Sequence, residues 1–316
     1  SGITQKTRAL IRRQYKCFRD DLVPAMYRHG IALAHTKELK ATRRRQIKRY
    51  FETDILQVLT PIAVDAHHPF PILGNGRLEI AVILEKGSSS EPLFALVEVP
   101  DVLPRFIRID PDQSEACTRF LPLETIIMDN ISMLFAKCRI KSMMAFRVTR
   151  DMDFNVDQED VADLVAHMEK QLLQRRRREP IRLEYPEKGD KRLKDWLHQQ
   201  FALETSFAYK IPGMLDLSSL FELQNSVEEP AICSSDWPPV GVPHIDDNQP
   251  VFTSIREAGS IGLFHPFQSF EPVVRLLNEA ADDPDVLAIK QTLYRTGTAS
   301  PIVDALRRAA EKGKQV

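Results

Sequence analysis

Arg295 is the residue of this chain whose type and position best suit the binding of an anion. It ends the apolar segment Asp285–Arg295, and the nearby Gly297 lets the backbone approach a ligand closely. Hydroxyl groups follow on Thr296, Thr298 and Ser300. If the segment is a parallel strand, a charged side chain at its carboxyl end faces the crevice where open α/β sheets bind ligands. A strand that ends in a solvated arginine fits the same spacing and is the commoner arrangement.

The elements around Arg295 indicate a βαβ unit. Apolar residues of Glu271–Asp282 recur at helical spacing, and residues 285–295 are rich in strand-forming side chains. Ser300-Pro301 then signals the start of a second amphipathic helix, which we predict over Ile302–Glu311. Lys314–Val316 is predicted to begin a parallel strand, so the unit is cut within its second strand.

Two helices rich in cations are predicted near the start of the chain. Ile3–Arg28 has apolar residues near helical spacing, and Thr36–Thr53 is the second helix. The cations of the first helix include Arg8, Arg12, Arg13, Lys16 and Arg19. We interpret these side chains as a solvated helix face, because Lys and Arg are mostly exposed in folded proteins.

Alternating apolar residues predict strands in the middle of the chain. Asn75-Gly76 is typical of a type I′ turn, which would join Pro69–Leu73 to the strand Arg77–Leu84 as a hairpin. Further strands are expected at Leu93–Val99 and Phe106–Ile109, and they would extend the hairpin into an antiparallel meander.

Helices then alternate with strands up to a proline-rich segment. Helices are predicted at Leu123–Phe135, Asp157–Arg177 and Lys191–Phe201, and strands at Lys141–Thr149 and Ile181–Tyr185. Arg147 and Arg150 could contact phosphate, but we interpret them as partners of Asp151, Asp153 or Asp157. Trp237–Pro250 has the composition of a linker.

The histidine pair His67-His68 does not have the spacing of a metal site. Adjacent side chains on an extended segment point to opposite sides, so the two rings cannot easily share one ion. Asp65 is close in sequence, but no third ligand follows at a zinc-site spacing. We interpret the pair as part of a turn.

Composition excludes several classes of protein. The formal net charge is −1, so any site for a polyanion must be a local patch, and a nucleic-acid-binding protein is not indicated. The four cysteines lack CxxC spacing, which favours free thiols in a reducing compartment. No apolar run reaches the ~20 residues of a transmembrane helix. We expect a cytoplasmic protein; peripheral association with a membrane through partners stays open.

Eight segments in chain order resemble one known family. They are LTPIAVDAHHPFP (59–71), VEVPDVLPRFIRI (97–109), LPLETIIMDNI (121–131), FRVTRDMDF (146–154), RRRREPIRLE (175–184), IREAGSIGLFHPFQSFEPVVRLL (255–277), PDVLAIKQTLYRT (284–296) and SPIVDALRRAAEKGKQV (300–316). Together they resemble the polyphosphate kinase family, whose enzymes move phosphate between ATP and inorganic polyphosphate. The segments span almost the whole chain, so no single motif carries the likeness.

The resemblance implies an α+β multidomain protein. Residues 1–28 would end an N-terminal helical domain. Residues 29–240 would form a mixed α+β middle domain that contributes to a homo-oligomer and to the wall of a tunnel. Residues 241–316 would begin the first C-terminal catalytic domain, an α/β domain of the phospholipase D type, and the chain would be a fragment of the enzyme.

The resemblance also implies a phosphohistidine mechanism whose nucleophilic histidine lies beyond residue 316, so that the fragment alone is inactive. ATP or ADP and inorganic polyphosphate would be substrates, with Mg²⁺ as the metal. Arg295 matches an arginine that the family assigns to its magnesium–phosphate site. A guanidinium has no lone pair for a metal, so we expect Arg295 to bind phosphate oxygens that the metal bridges.

Two other functions remain open from the sequence. The chain could be a non-enzymatic assembly module whose middle domain makes subunit contacts. It could also be part of a phospholipase D-like hydrolase, although the His-Lys-Asp motif of that class is not visible. There is no Walker A loop and no GxGxxG pattern. His265 is the histidine closest to the predicted catalytic elements, and we interpret it as packing beside Pro266 and Phe267 rather than as a nucleophile.

Overall fold

The computed structural model describes most of the chain and divides it into two compact units. The described residues are 2–65, 67–85, 92–111, 117–136, 138–151, 179–227, 232, 237–294 and 300–316. The units are Ser1–Cys233 and Ser234–Val316. The predicted helix Asp157–Arg177 and the predicted anion-binding residue Arg295 lie outside the described residues. The three predicted domains, 1–28, 29–240 and 241–316, stay a prediction.

The first unit begins with the predicted cationic helix. It runs as α1 (Gly2–Lys16), a π-helical turn and α2 (Val23–Arg28), so the helix expected over Ile3–Arg28 is confirmed. Its buried face carries Ile11, Tyr15 and Phe18, at the three- and four-residue spacing that places side chains on one side of a helix. These side chains join the largest hydrophobic core of the unit.

Four more helices of the first unit lie in the described residues. They are α3 (Ala41–Tyr50), α4 (Leu123–Asn130), α5 (Lys191–Phe201) and α6 (Leu220–Ser226). The helix predicted over Thr36–Thr53 is divided: a short 3₁₀ turn precedes α3 and a π-helical turn follows it. The helix predicted over Lys191–Phe201 is confirmed to the residue. Asp190 caps it by accepting a hydrogen bond from the backbone of Arg192, and Ala202, the C-cap residue that follows the helix, has a φ of 48°.

The strands of the first unit form two sheets in the described residues. The strands are β1 (Ile31–Leu33), β2 (Pro61–Val64), β3 (Leu78–Glu85), β4 (Leu93–Glu98), β5 (Phe106–Ile109), β6 (Thr118–Pro122), β7 (Arg139–Arg150), β8 (Pro180–Pro186) and β9 (Ala208–Ile211). One sheet has the order β2-β4-β3-β7-β8-β9 and the other β1-β6-β5. Parallel pairs, β1 with β6 and β8 with β9, occur beside antiparallel ones. The predicted α+β class is confirmed.

The predicted meander is wrong because its strands belong to different sheets. β4 lies between β2 and β3 in the larger sheet, whereas β5 pairs with β6 in the smaller one. Both β4 and β5 were expected as strands, and both exist. Pairing joins residues distant in the sequence, so alternation of side chains locates a strand without identifying its neighbours.

The predicted hairpin at Asn75-Gly76 is also wrong, although the turn itself exists. Gly76 has a φ of 69°, but Asn75 is not among the described residues with a positive φ, which a type I′ turn requires at both central positions, so the predicted turn type is wrong. The turn bonds to β7 instead of closing a hairpin: the N–H of Gly76 donates to the carbonyl of Val148 over 2.7 Å, and the side chain of Asn75 accepts from the backbone of Arg150. Residues 69–73 are not a strand, and two of them are prolines without an N–H to donate.

β3 is an interior strand of the large sheet, and its side chains are buried on both faces of that sheet. Leu78, Ile80, Val82 and Leu84 point into the core shared with α1 and α4. The alternate residues, such as Ile83, point into a second core, which contains Trp196 from α5. The sequence predicted one buried face from the alternation of these residues. Burial of both faces explains why residues 78–84 are all apolar except Glu79.

Glu79 is a carboxyl group enclosed within this sheet. Only 1% of its surface is exposed, and Oε1 has no hydrogen-bond partner among the described residues. Burial, and secondarily the nearby charge of Glu98, raise the pKa of Glu79 from 4.5 to about 8. The folded chain therefore holds this carboxyl protonated near neutral pH, because ionisation of a carboxyl group away from water is costly and the charge of Arg77 only partly opposes the shift.

We expect Glu79→Gln to remove a pH dependence of stability. Between about pH 5 and about pH 8 the folded wild type keeps a proton that the unfolded chain releases. Its free energy of unfolding therefore falls as the pH rises, by at most about 1.4 kcal/mol per pH unit from this group. Urea unfolding at several pH values should show the variant gaining on the wild type as the pH increases.

Glu85→Gln is the matched control for that experiment. Glu85 ends the same strand, and its partly exposed carboxylate pairs with Lys141 over 2.8 Å. Its hydrogen bond to Lys141 lowers the pKa of Glu85, so the substitution should not reproduce the gain toward high pH. A difference between wild type and Glu79→Gln that stays constant with pH would contradict the assignment of a protonated Glu79.

The second unit contains three helices in its described residues, with two isolated parallel bridges. The helices are α7 (Val251–Ala258), α8 (Glu271–Asp282) and α9 (Pro301–Glu311), so the helices expected on either side of the 285–295 segment are confirmed. Arg308 on α9 and Lys312 just after it pair with Asp282 at the end of α8. The predicted linker contributes one bridge, because Val240 pairs with Gln268 in the same unit.

Candidate functional site

The strand predicted over Asp285–Arg295 is wrong for its described residues, 285–294, which form one isolated parallel bridge and no strand. Ala288 bridges Gln315, and the N–H of Ile289 donates to the carbonyl of Gln315 over 2.7 Å. Ser300 stands at the N-cap of α9, without a side-chain cap hydrogen bond. Bridge, connection and helix thus follow in the order expected of a βαβ unit. Arg295 falls in the connection, outside the described residues, so its role stays a prediction.

A basic cleft of about 1000 Å³ lies in the first unit. One wall is the solvent-facing side of α1 and the π-helical turn after it, with cations at Arg8, Arg12, Lys16 and Arg19. Successive spacings of four, four and three residues place these cations on one side of the helix. The predicted solvated face is confirmed, since all four residues are exposed. Their placement on one wall of a cleft was not predicted.

The opposite wall comes from β8, β9 and α5. Lys191 and Lys194 on the first turn of α5 and Lys210 on β9 supply its cations. The carboxylates of Glu187 and Asp195 also line the cleft. The two walls are joined where the guanidinium of Arg8 lies 3.4 Å from the carbonyl oxygens of Thr205 and Ala208.

The lowered pKa of Lys194 reflects in part the positive charge of this wall. Its ammonium donates to the carbonyl of Glu187 over 2.8 Å and lies 5.2 Å from the ring centroid of Tyr185. Burial, followed by repulsion from Lys210, lowers the pKa of Lys194, and the carboxylates of Glu187 and Asp190 only partly oppose this shift. A cation destabilised by another cation is a site where an added anion would be stabilising.

His198 also lines the cleft, but both of its ring nitrogens are occupied. Nδ1 lies 2.9 Å from the carbonyl oxygen of Leu203, which can only accept, so Nδ1 carries the proton. Nε2 then accepts from the hydroxyl of Tyr185, 3.2 Å away. His198 therefore orders the joint between α5 and β8 and is not placed as a nucleophile.

A second group of charges lies next to the cleft, where α1 meets the loop before α6. The guanidinium of Arg147 is 3.2 Å from a carboxylate oxygen of Asp216 and 3.6 Å from one of Glu184. Both partners are far from Arg147 in the sequence, whereas the partners we predicted were close to it. Two of these, Asp153 and Asp157, lie outside the described residues. Arg147 is therefore engaged within the protein, in keeping with a structural role.

The other histidines singled out in the sequence make local contacts. Asp65 accepts hydrogen bonds from the backbone N–H groups of His67 and His68, which confirms the turn expected there. Nδ1 of His265 lies 3.0 Å from the carbonyl of Gln268, and its ring packs edge-on against Phe270. Across the described ranges, no group of three or more His, Cys, Asp or Glu residues is arranged to hold a metal ion.

No helix in the described part of the chain is long and apolar enough to cross a bilayer. Cys17, Cys117 and Cys138 are free thiols, as expected from their spacing, while Cys233 lies outside the described residues.

Comparison with known proteins gives matches along most of the chain. The model of the polyphosphate kinase middle domain matches residues 42–223, and that of the polyphosphate kinase C-terminal domain 1 matches residues 250–316. The chain is 36% identical over 304 residues to the polyphosphate kinase of Prosthecochloris aestuarii, covering 95% of this chain and 42% of that protein. It is 38% identical over 318 residues to the polyphosphate kinase of Exiguobacterium sibiricum, covering 100% of this chain and 44% of that protein.

A solved structure is also similar over the whole chain. The crystal structure of polyphosphate kinase from Porphyromonas gingivalis superposes with a TM-score of 0.70 at 25% identity, covering 100% of this chain and 46% of that one. The chain thus spans less than half the length of the curated relatives and of the solved structure that it matches.

Proposed function

Because this chain belongs to the polyphosphate kinase family, we propose that the protein transfers the terminal phosphate of ATP reversibly to inorganic polyphosphate. The observation that carries the proposal is the consecutive match of the middle domain and of C-terminal domain 1, in that order, over residues 42–223 and 250–316. The cytoplasm as location and assembly into a homo-oligomer through the middle domain are part of the same proposal.

The proposed reaction proceeds through a phosphohistidine. A histidine nitrogen attacks the terminal phosphorus of ATP, the bond to the bridging oxygen breaks and ADP leaves with that oxygen. A terminal oxygen of polyphosphate then attacks the phosphohistidine, which releases the nitrogen and lengthens the polymer by one unit. We place the nucleophilic histidine beyond residue 316, as the resemblance to the family implies; within the chain, His198 and His265 are engaged in local contacts.

Arg295 is proposed to hold phosphate oxygens during this transfer. Its planar guanidinium can donate two parallel hydrogen bonds to a phosphoryl group and so balance its negative charge. Its position in the sequence supports this role, because Arg295 lies between the bridge residue Ala288 and the start of α9, and ligands of α/β units bind after the carboxyl end of a strand.

Mg²⁺ is proposed to bind the phosphates of the nucleotide and of the polymer, and not this chain directly. The described residues offer no cluster of carboxylates and histidines that would bind it directly. A guanidinium lacks the lone pair that a metal ligand needs, so Arg295 would act on phosphate oxygens and not on the ion.

ATP formation from ADP, Mg²⁺ and polyphosphate tests the proposal. We expect no turnover by the 316-residue chain and turnover by a protein that continues past Val316, because the nucleophile is placed in the continuation. Turnover by the shorter chain would place the nucleophile within it, and His265→Ala would then identify or exclude the histidine closest to the predicted catalytic elements. Absence of turnover in both proteins would contradict the proposed function.

A further inference from the structure

We propose that the basic cleft between α1 and the β8–α5–β9 wall binds a chain of condensed inorganic phosphate. The choice of phosphate over other linear polyanions rests on the proposed function, which otherwise makes no use of this cleft. Three features of the cleft favour this ligand: its excess of positive charge, its length and the contacts of its aromatic rings.

The cleft carries a large excess of positive charge. Its lining has seven Lys and Arg side chains against the two carboxylates of Glu187 and Asp195. Arg19 pairs with Asp20 at 2.7 Å, which neutralises one cation. Within the described residues, no carboxylate forms an ion pair with the remaining cations; these are Arg8, Arg12, Lys16, Lys191, Lys194 and Lys210. The whole chain has a net charge of −1, so this concentration is local.

The cations on α1 and the turn after it are arranged along a line, which suits a linear ligand better than a single phosphate ion. From Arg8 to Arg19 the helical stripe covers about 16 Å at a rise of about 1.5 Å per residue. A smaller cavity of about 220 Å³, lined by Arg8, Arg12, Thr4 and Ser206, continues the groove toward the start of α1. Repeated charges on both sides of such a groove match a polymer that carries a negative charge on every unit.

The aromatic residues of the cleft do not form a platform for nucleic-acid bases. The ring of Tyr185 has the ammonium of Lys194 over it and His198 packed against it, with a ring-centroid separation of 6.0 Å. The guanidinium of Arg182 lies 4.5 Å from the ring centroid of Tyr209. Tyr15 is buried and its hydroxyl donates to the carbonyl of Met214. Single-stranded nucleic acids bind through base stacking as well as charge, so a polymer without bases fits this cleft better.

Titration of the 316-residue chain with inorganic polyphosphate, followed by calorimetry at several salt concentrations, tests the proposal directly. The informative variant combines Arg12→Gln, Lys191→Gln and Lys210→Gln, which removes three exposed cations from both walls. We expect its affinity for polyphosphate to fall by about tenfold or more, and its salt dependence to become shallower because fewer counterions are released.

A matched variant removes the same charge away from the cleft. It combines Lys6→Gln, Arg13→Gln and Lys188→Gln, three exposed residues that do not line the cleft. This variant should bind polyphosphate within about twofold of the wild type. Both triple variants lose three positive charges, so the general effect of net charge is the same in each. Equal weakening in both triple variants, or no binding by the wild type, would overturn the proposal.

A competition experiment separates condensed phosphate from nucleic acid. An oligothymidylate at the same phosphate concentration should displace little of the bound polyphosphate; complete displacement would make the cleft a nucleic-acid site and overturn the proposal. Binding is read here without phosphate transfer. Binding to the cleft alongside absence of ATP formation in the longer protein would therefore contradict only the proposed function, and the reverse outcome would contradict only the cleft.

Discussion

Replacing Arg105 with methionine should lower the free energy of unfolding of the first unit by about 3–5 kcal/mol, because it leaves a buried carboxylate without its cation. The guanidinium donates two hydrogen bonds to Glu124, 2.7 and 3.2 Å long, and a third of 2.7 Å to the carbonyl of Leu215. Asp216 lies 3.3 Å away. Glu124 is only 7% exposed, so water cannot replace the lost donor groups.

Urea unfolding, monitored by tryptophan fluorescence, can measure this effect in the first unit. Trp196 belongs to the first unit and is 8% exposed, whereas Trp237 in the second unit is 82% exposed and should change little on unfolding. Unfolding of the first unit should therefore dominate the signal.

Arg108→Met is the matched control for Arg105→Met. Arg108 lies on the neighbouring strand β5 and pairs with Asp110 over 2.6 Å, but about half of its side chain is exposed. Its loss should cost less than about 1 kcal/mol. The double variant Arg105→Met with Glu124→Met should regain much of the stability lost by the single variant, because it removes the unpaired charge as well. Similar losses in free energy of unfolding from Arg105→Met and Arg108→Met would show that the buried pair contributes no more to stability than the exposed one.

The parts of the fold that were predicted correctly depend on neighbours in the sequence. The helix Lys191–Phe201 is amphipathic at the helical period and follows Asp190, a capping residue, and its observed bounds are those expected. The helix Glu271–Asp282 likewise ends before Pro284. In both cases the stabilising contacts lie within a few residues, so the pattern of side chains contains the necessary information.

The parts that were not predicted depend on contacts between distant residues. Asn75-Gly76 forms its turn, but the strand that it bonds to begins more than sixty residues later. The basic cleft requires Arg12 on α1 to face Lys191 and Lys210, which lie nearly two hundred residues away in the sequence. A stripe of cations at helical spacing was the only local signal of this cleft. Such a stripe is also found on ordinary solvated helices, so the tertiary fold had to supply the opposite wall.

Replacing Arg295 with alanine in the protein that continues past Val316 should reduce polyphosphate formation by roughly 10²–10³-fold, since one donor group to a transferring or developing negative charge is worth about that much. The loss should appear in kcat more than in KM if the guanidinium contacts the phosphoryl group mainly in the transition state. Arg295→Lys should recover only part of the activity, because lysine keeps the charge but not the two parallel donors. Initial rates with ATP and polyphosphate, over a range of both substrates, measure these effects.

Arg307→Ala provides the comparison that isolates the position of Arg295 from its charge. Arg307 lies on α9, shortly after the connection that contains Arg295, and its side chain is 71% exposed beside Asp304. Its replacement removes one positive charge from the same βαβ unit, yet activity should stay within about twofold of the wild type because exposed ion pairs contribute little. If Arg295→Ala matched Arg307→Ala in rate and in thermal stability, Arg295 would not belong to the phosphate site. If only the rate of Arg295→Ala fell, the phosphate-binding role would be supported over the solvated arginine that the local spacing alone favours.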